Sequence, residues 1–525
     1  MTLLLRINTV LLLSLLGACG GSSTSTSSHD SSGDSVVRRH SVDTRCDLAE
    51  FPSADWLQCE QQNHARTAEA NIEQLAPAFV QRSQTQENDN RLAMLARLAE
   101  DPSWGLPPSQ GNTPATPLCS AGMGPCVGDP FRYPGVDGAD GQVFYEVEAE
   151  VVPVVYYDQG CARISGRVWR PRTLSPGDRA PLVVIKNGSV QASEQLYWWA
   201  AQALVRAGYV VLTSDPRGQG RSDSATPNSA EQGGNLNGHV FYQGLINDID
   251  FMLSRPDLPY PHEASCSGSY PTVTAAFNPF YQYVDVERIG IAGHSYGAAG
   301  VTWVQAYGAP GAEPWPGLLS AENPVDAVVA WDALGYTDTG NNATITSVQL
   351  PPGSTNALTS AFGDDSFPVV VAHKPALSFK SEYGFTPLPM LSDPDREAHK
   401  HAFKQWQAAG VPIYSLTIAG TTHLDYSLGP TLPATSWCAE IVDNRCVGGW
   451  ARPMISDYSV AWFDRWLKAP GEPGYDSAEP RLLDDALWAE RMSIHFASAR
   501  DIPLRGGGRE HCEDIRLQCG AAGAP

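Results

Sequence analysis

The chain has 525 residues, 42% of them hydrophobic, which is enough for a sizeable core in two or three domains or in one large single-sheet enzyme. Its formal net charge is -22, from 35 Lys and Arg against 57 Asp and Glu. No clustered cations appear, so nucleic acid is disfavoured as a partner, and the acidic balance reads as a solvated surface.

At the N-terminus Arg6 precedes the apolar run Val10-Leu11-Leu12-Leu13-Ser14-Leu15-Leu16, and small residues lead to a cysteine in Leu16-Gly17-Ala18-Cys19. The run is too short to span a bilayer and reads as an export signal. This stretch resembles a bacterial lipoprotein signal. The resemblance implies removal of residues 1–18, lipidation of Cys19, and a domain anchored to a membrane outside the cytoplasm, facing the periplasm or the cell surface. An ordinary secretory signal cleaved nearby is the alternative.

Without Cys19, 10 of the 11 cysteines remain, an even number that an oxidising compartment would pair. Close spacing suggests Cys46 with Cys59, Cys119 with Cys126, Cys438 with Cys446 and Cys512 with Cys519, leaving Cys161 and Cys266 for each other. Metal binding is the other use of paired cysteines, but no Cys-x-x-Cys occurs and no His lies at ligand spacing, so no metal and no cofactor is expected.

Residues 19–45 are rich in Ser, Thr, Gly and Asp and read as a flexible tether. Residues 46–141 form an accessory segment: a helical part to about Trp104, with Ile72, Leu75 and Phe79 on one stripe and Leu92, Leu95 and Leu98 on another, then a Pro/Gly/Cys-rich loop from Pro107 to Pro134. A sheet domain spans 142–468. It opens on alternating strands, Val143 to Val151 and Ala162 to Val168, expected as antiparallel edge strands around the turn Asp158-Gln159-Gly160.

Continuous apolar runs follow at Leu182–Ile185, Tyr209–Leu212 and Ala327–Ala330, as strands buried on both faces require. Helical patterns separate them: Leu196 to Ala207, Phe241 to Leu253, and the stretch after Ser295. Later units are a strand at Ala376–Lys380, a helix from Arg396 to Ala409, a strand at Ile413–Ile418, and a helix through Val460, Phe463 and Leu467. The alternation predicts a mostly parallel, doubly wound α/β sheet. Past Pro470, residues 469–525 read as an irregular extension.

Within that frame, Gly293-His294-Ser295-Tyr296-Gly297 sits between a short apolar strand, Arg288–Ala292, and a helix start lined with small residues, Ala298–Trp303. In a chain with 48 Gly, a Gly-x-Ser-x-Gly match arises by chance roughly a few tenths of the time; the strand before and helix after make it specific. A serine hydroxyl needs a base to take its proton and an acid to orient that base. His423, in Gly420-Thr421-Thr422-His423-Leu424-Asp425 just past a predicted strand, is the candidate base, because catalytic groups gather at the C-terminal ends of parallel strands. His294 reads as structural, and His373, His399 and His401 as lying beside a strand start or on a solvated helix. Two carboxylates follow strands and could serve as the acid: Asp332 and Glu382.

Strands, elbow, chain order and the turn Asp215-Pro216-Arg217-Gly218-Gln219-Gly220-Arg221-Ser222 together resemble the α/β-hydrolase fold. Trp331-Asp332-Ala333 and Lys380-Ser381-Glu382-Tyr383 resemble the platelet-activating-factor acetylhydrolase branch. That resemblance implies Asp332 as the acid, with Glu382 the alternative. Tyr296 N–H is the expected first oxyanion donor. The second is assigned to Ser189 N–H in Lys186-Asn187-Gly188-Ser189, where this family usually shows His-Gly and the chain has Asn187-Gly188.

Tyr197, Trp198, Trp199, Trp331 and Tyr336 are open between an acyl pocket and core packing. Gly335 to Phe367 suggests an irregular flap. The expectation is an extracytoplasmic serine hydrolase of small-molecule or lipid carboxylic esters, with a serine peptidase or amidase as nearest rival and an inactive binding lipoprotein as the reading from another class.

Overall fold

The computed structural model describes residues 42–73, 92, 95–96, 98–105, 144–189, 194–223, 225–227, 238–338, 343–345, 368–384, 388–427, 441–442, 445–446 and 450–519. All belong to one compact unit, Ser35–Pro525. The signal and Cys19, most of the tether, Leu75, Phe79, the Pro107–Pro134 loop with Cys119 and Cys126, Cys438, and most of the expected flap lie outside the described residues.

Ten strands form the main sheet: β1 (Ala149–Tyr157), β2 (Arg163–Pro171), β3 (Ala180–Lys186), β4 (Val210–Ser214), β5 (Val284–His294), β6 (Val325–Trp331), β7 (Ala376–Ser381), β8 (Ile413–Ile418), β9 (Ala499–Pro503) and β10 (Arg509–Cys512). Their spatial order is β1-β2-β4-β3-β5-β6-β7-β8-β9-β10. β1 and β2 pair antiparallel and β2 joins β4 antiparallel. From β4 to β8 every neighbouring pair is parallel. The chain is thus of the α/β class, with a mixed, mostly parallel sheet.

Apolar runs make the central strands because both faces are covered. In β3, Val183 and Ile185 pack on one face with α2 (Trp198–Arg206) and α6 (Arg452–Leu467). Leu182 and Val184 pack on the other with α3 (His239–Leu253), α4 (Tyr296–Ala306) and α5 (His401–Ala408). Period-two alternation therefore divides one continuous apolar run between two cores.

Three expectations are corrected. Residues Phe144–Glu148 form a π-helical turn and the strand begins only at Ala149. Phe144 leaves the strand path to bury itself beside Trp169 and under Arg206, and Arg206 bonds Glu148 at 2.6 Å. The helix expected from Arg396 starts at His401, because Arg396 is drawn to Asp514 at 2.8 Å and Asp47 at 3.1 Å. The segment past Pro470 is not irregular: it gives α7 (Tyr475–Leu483) and the antiparallel strands β9 and β10. Its inward alternation is hidden because Arg500, fully buried, is matched by ion pairs with Asp485 and Glu510.

The accessory segment supplies α1 (Ala54–Glu73). Disulfides join Cys46 to Cys59, Cys161 to Cys266 and Cys512 to Cys519. Such bonds point to an oxidising compartment. No helix among the described residues is long and apolar enough to cross a membrane.

Candidate active site

Parallel register sets the site. His294 lies opposite Trp331, Trp331 opposite Phe379, and Ser381 opposite Ile418, so the residues leaving β5, β6, β7 and β8 emerge on one edge of the sheet. Ser295, Asp332, Glu382 and the loop to His423 all follow those strand ends.

Ser295 has φ 57° and ψ -119°, a conformation that costs an L-residue on the order of 1–3 kcal/mol and persists only where the surroundings dictate it. Those surroundings are close backbone contacts. A Cβ on Gly293 would lie 2.2 Å from Gly297 O, and one on Gly297 would lie 2.2 Å from Lys186 O. Both glycines of the motif are therefore required by packing, and Ser295, half-buried, remains reachable. Its N–H donates to Trp331 O at 3.1 Å, tying the elbow to the end of β6.

Asp332, at φ 49°, turns its carboxylate onto His423, with Oδ2 2.6 Å from Nδ1. Two further donors complete it: Ser381 N–H to Oδ1 at 2.7 Å and Ser381 Oγ to Oδ2 at 2.8 Å. Burial raises the Asp332 carboxyl, but the bonds with His423 and Ser381 outweigh it and hold the group down at about 2. Lys380, buried on the neighbouring strand, is pushed down to about 8 by burial, with Asp332 pulling it back up.

Glu382 does not join this pair. Fully buried, it accepts Gly420 N–H at 2.6 Å together with bonds from Asn63 Nδ2 and Ser493 Oγ. The structure brings Asp332 and His423 together and gives Glu382 another set of partners.

His294 links two loops. Its Nε2 lies 2.8 Å from His423 O and its Nδ1 2.8 Å from Tyr197 Oη. A carbonyl can only accept, so Nε2 carries the proton and Nδ1 accepts from the tyrosine hydroxyl. Tyr197 Oη in turn accepts Gly188 N–H at 3.0 Å. Burial, then the neighbouring His423, pushes His294 down to about 3, which keeps it neutral.

The Lys186–Ser189 loop is set against the serine: a Cβ on Gly188 would lie 3.1 Å from Ser295 Cβ. Asp215 accepts Asn187 Nδ2 of this loop at 3.2 Å, Glu194 N–H at 2.7 Å and Arg221 N–H at 2.9 Å. Burial and the Glu194 carboxylate push Asp215 up to about 6. Gly220, at φ +48°, admits no side chain here, since a Cβ would sit 2.2 Å from the Asp215 carboxyl carbon. Tyr296 opens α4, where the first N–H groups have no carbonyl of the helix's own to bond.

Of the aromatics left open, Tyr197, Trp198, Trp199 and Trp331 pack in the core, and Tyr336 stacks on His401 at 4.8 Å. His399, expected on a solvated helix, is instead buried against Phe496 at 3.7 Å, and burial holds it well below the usual histidine range. Sequence reasoning missed Ser381 as a partner of Asp332 and the Tyr197–His294 link. Ser381 was visible as the residue beside the candidate Glu382, while Tyr197, singled out only as an aromatic of pocket or core, carried no mark of a link to His294. Comparison with protein-family models found no match, and no curated protein matches the chain.

Proposed function

We propose that the chain is a serine hydrolase of the α/β-hydrolase fold that cleaves carboxylic esters through an acyl-enzyme. The observation that carries this reading is the 2.6 Å contact of Asp332 with His423 Nδ1 at the same sheet edge as Ser295, itself held in a left-handed conformation. Asp332 keeps the imidazole proton on Nδ1, which leaves Nε2 to accept the Ser295 proton as Oγ attacks the ester carbonyl carbon.

Negative charge then gathers on the carbonyl oxygen, where Tyr296 N–H and Ser189 N–H serve as donors; loss of one such donor typically costs about 2.7 to 4 kcal/mol. Collapse of the intermediate breaks the carbon–oxygen bond, and the departing alkoxide takes the proton from His423. Water, deprotonated by His423, releases the acid and restores Ser295. A triad and oxyanion hole would serve esters and amides alike, and a substrate series tests which leaving group is cleaved.

The lipid anchor at Cys19 rests on the signal-like sequence Leu16-Gly17-Ala18-Cys19 and on the disulfides, which fit export. A fluorophosphonate probe tests the chemistry: covalent labelling of the wild type that disappears in Ser295→Ala supports it. Labelling that persists in Ser295→Ala, or none in the wild type, overturns it. Ester and amide substrates of graded acyl length then report leaving group and pocket size. Incorporation of labelled palmitate, lost in Cys19→Ala, tests the anchor separately.

A further inference from the structure

The buried face of α1 carries Trp56, Cys59, Glu60, Asn63 and Thr67, a helical stripe that turns from apolar to polar as it nears the His423 loop. Polar side chains so buried need partners, and these find them on the segments that flank His423. Asn63 Nδ2 donates to Glu382 Oε2 and, at 3.1 Å, to Tyr383 Oη. Tyr383 Oη donates to the Glu60 carboxylate at 3.2 Å, which also accepts Met390 N–H at 2.7 Å and lies 2.5 Å from His495 Nε2.

From Glu382 the connection runs to the loop itself. The oxygen that Asn63 holds also accepts Gly420 N–H at 2.6 Å, and Gly420 is so tightly placed that a Cβ would lie 3.0 Å from Arg66 Cβ and 3.1 Å from Asn63 O of α1. Tyr383 N–H donates to Thr421 O at 3.0 Å, and His423 N–H donates to Gly384 O at 2.7 Å. On the far side Trp450 Nε1 donates to Ala419 O at 2.6 Å, with the Arg66 guanidinium 4.6 Å above its ring. The backbone from Ala419 to His423 is therefore held by α1, by residues 382–384 and by Trp450, while its imidazole meets Asp332.

We propose that Glu382 is a positioning residue through which α1 holds the His423 loop in place against Asp332, so that residues 46–67 are a working part of the active site. This rests on the hydrolase reading above. The alternative, a helix that merely adds stability, predicts loss of melting temperature without a change in turnover by folded enzyme. The disulfide Cys46–Cys59 fits the proposed role: it ties the chain before α1 to the helical turn that bears Glu60, one turn from Asn63.

The test measures ester turnover of the full chain well below its melting temperature, with near-ultraviolet circular dichroism to establish that each variant is folded. Asn63→Ala removes the bond to Glu382 and is expected to lower kcat at least thirtyfold with KM within about threefold, because the change acts on the placing of His423 against Asp332 and so on the chemical step. Glu382→Ala is expected to lose kcat similarly. Glu382→Gln, which keeps an acceptor for Gly420 N–H, is expected to recover at least tenfold of that loss.

Folded Asn63→Ala turning over like the wild type overturns the proposal while leaving the hydrolase reading intact. Glu382→Gln as inactive as Asp332→Asn also overturns it, because the Glu382 charge would then be acting directly. A wild type that neither turns over nor takes the fluorophosphonate probe removes both.

Discussion

Replacing Asp332 by Asn isolates the contribution of one buried charge. Three donors converge on the two carboxylate oxygens: His423 Nδ1–H, Ser381 N–H and Ser381 Oγ–H. Depression of the carboxyl from 3.8 to about 2 corresponds to about 2 kcal/mol in favour of the anion, net of its burial cost. An amide offers one acceptor and one donor group, so either Ser381 or His423 meets a donor. If His423 yields, its proton moves to Nε2, the nitrogen that must accept from Ser295. Such a substitution at a triad acid lowers kcat by about 10⁴ elsewhere by this tautomer effect.

For Asp332→Asn we therefore expect kcat to fall by about 10³ to 10⁴, or about 4 to 5.5 kcal/mol, with KM nearly unchanged. Saturation kinetics on a chromogenic ester between pH 5 and 9 measure it. The same variant changes acid stability. The depressed carboxyl contributes stability that is fully present above its unfolded value and lost as pH falls through about 2, so the variant flattens the decline between about pH 4 and pH 2. A folded Asp332→Asn enzyme with kcat within tenfold of wild type would refute the assignment of the acid.

Three further substitutions probe the frame around the pair. Gly188→Ala places a Cβ 3.0 Å from Tyr197 Oη and 3.1 Å from Ser295 Cβ, and if the displaced Lys186–Ser189 loop supplies the proposed oxyanion donor this should cost about 10² in kcat; unchanged kinetics would detach that loop from the chemistry. Gly297→Ala cannot be accommodated at 2.2 Å from Lys186 O, so thermal denaturation should show a loss of roughly 3 kcal/mol or more, or no folded protein at all. His294 is neutral when folded until about pH 3 but protonates near 6.5 when unfolded, so stability falls as pH drops through that interval, by about 3 kcal/mol at pH 4.5. His294→Asn should be weaker at pH 7 yet lack that component, and urea midpoints at pH 7 and 4.5 that shift equally in both proteins would contradict this.

The parallel centre of the sheet was legible because its strands are buried on both faces and so read as unbroken apolar runs: Leu182–Ile185, Tyr209–Leu212, Ala327–Ala330. The elbow was legible because its two glycines answer backbone contacts that no other residue permits. The edges were not. β9 buries Arg500 against Asp485, so its inward position looks polar, and pattern reading discards a strand whose core contact is an ion pair. Phe144–Glu148 alternates like a strand yet winds into a turn, because Phe144 gains more by burying beside Trp169 than by continuing the ladder.

Position alone could not separate Asp332 from Glu382, since each follows a parallel strand and each is buried. What differs is the donors each faces. Asp332 receives one N–H that can exchange its proton, from an imidazole, and two bonds from Ser381 that hold the carboxylate still. Glu382 receives an amide side chain, a backbone N–H and a hydroxyl, none of which titrates near neutral pH. A carboxylate among fixed donors can only hold a structure; one against an imidazole can also stabilise the imidazolium formed when a serine proton is taken. The two residues thus divide the work that either could have done by its place in the chain, and the division was set by Asn63, Ser493 and Gly420, residues far apart in sequence that no local motif ties to Glu382.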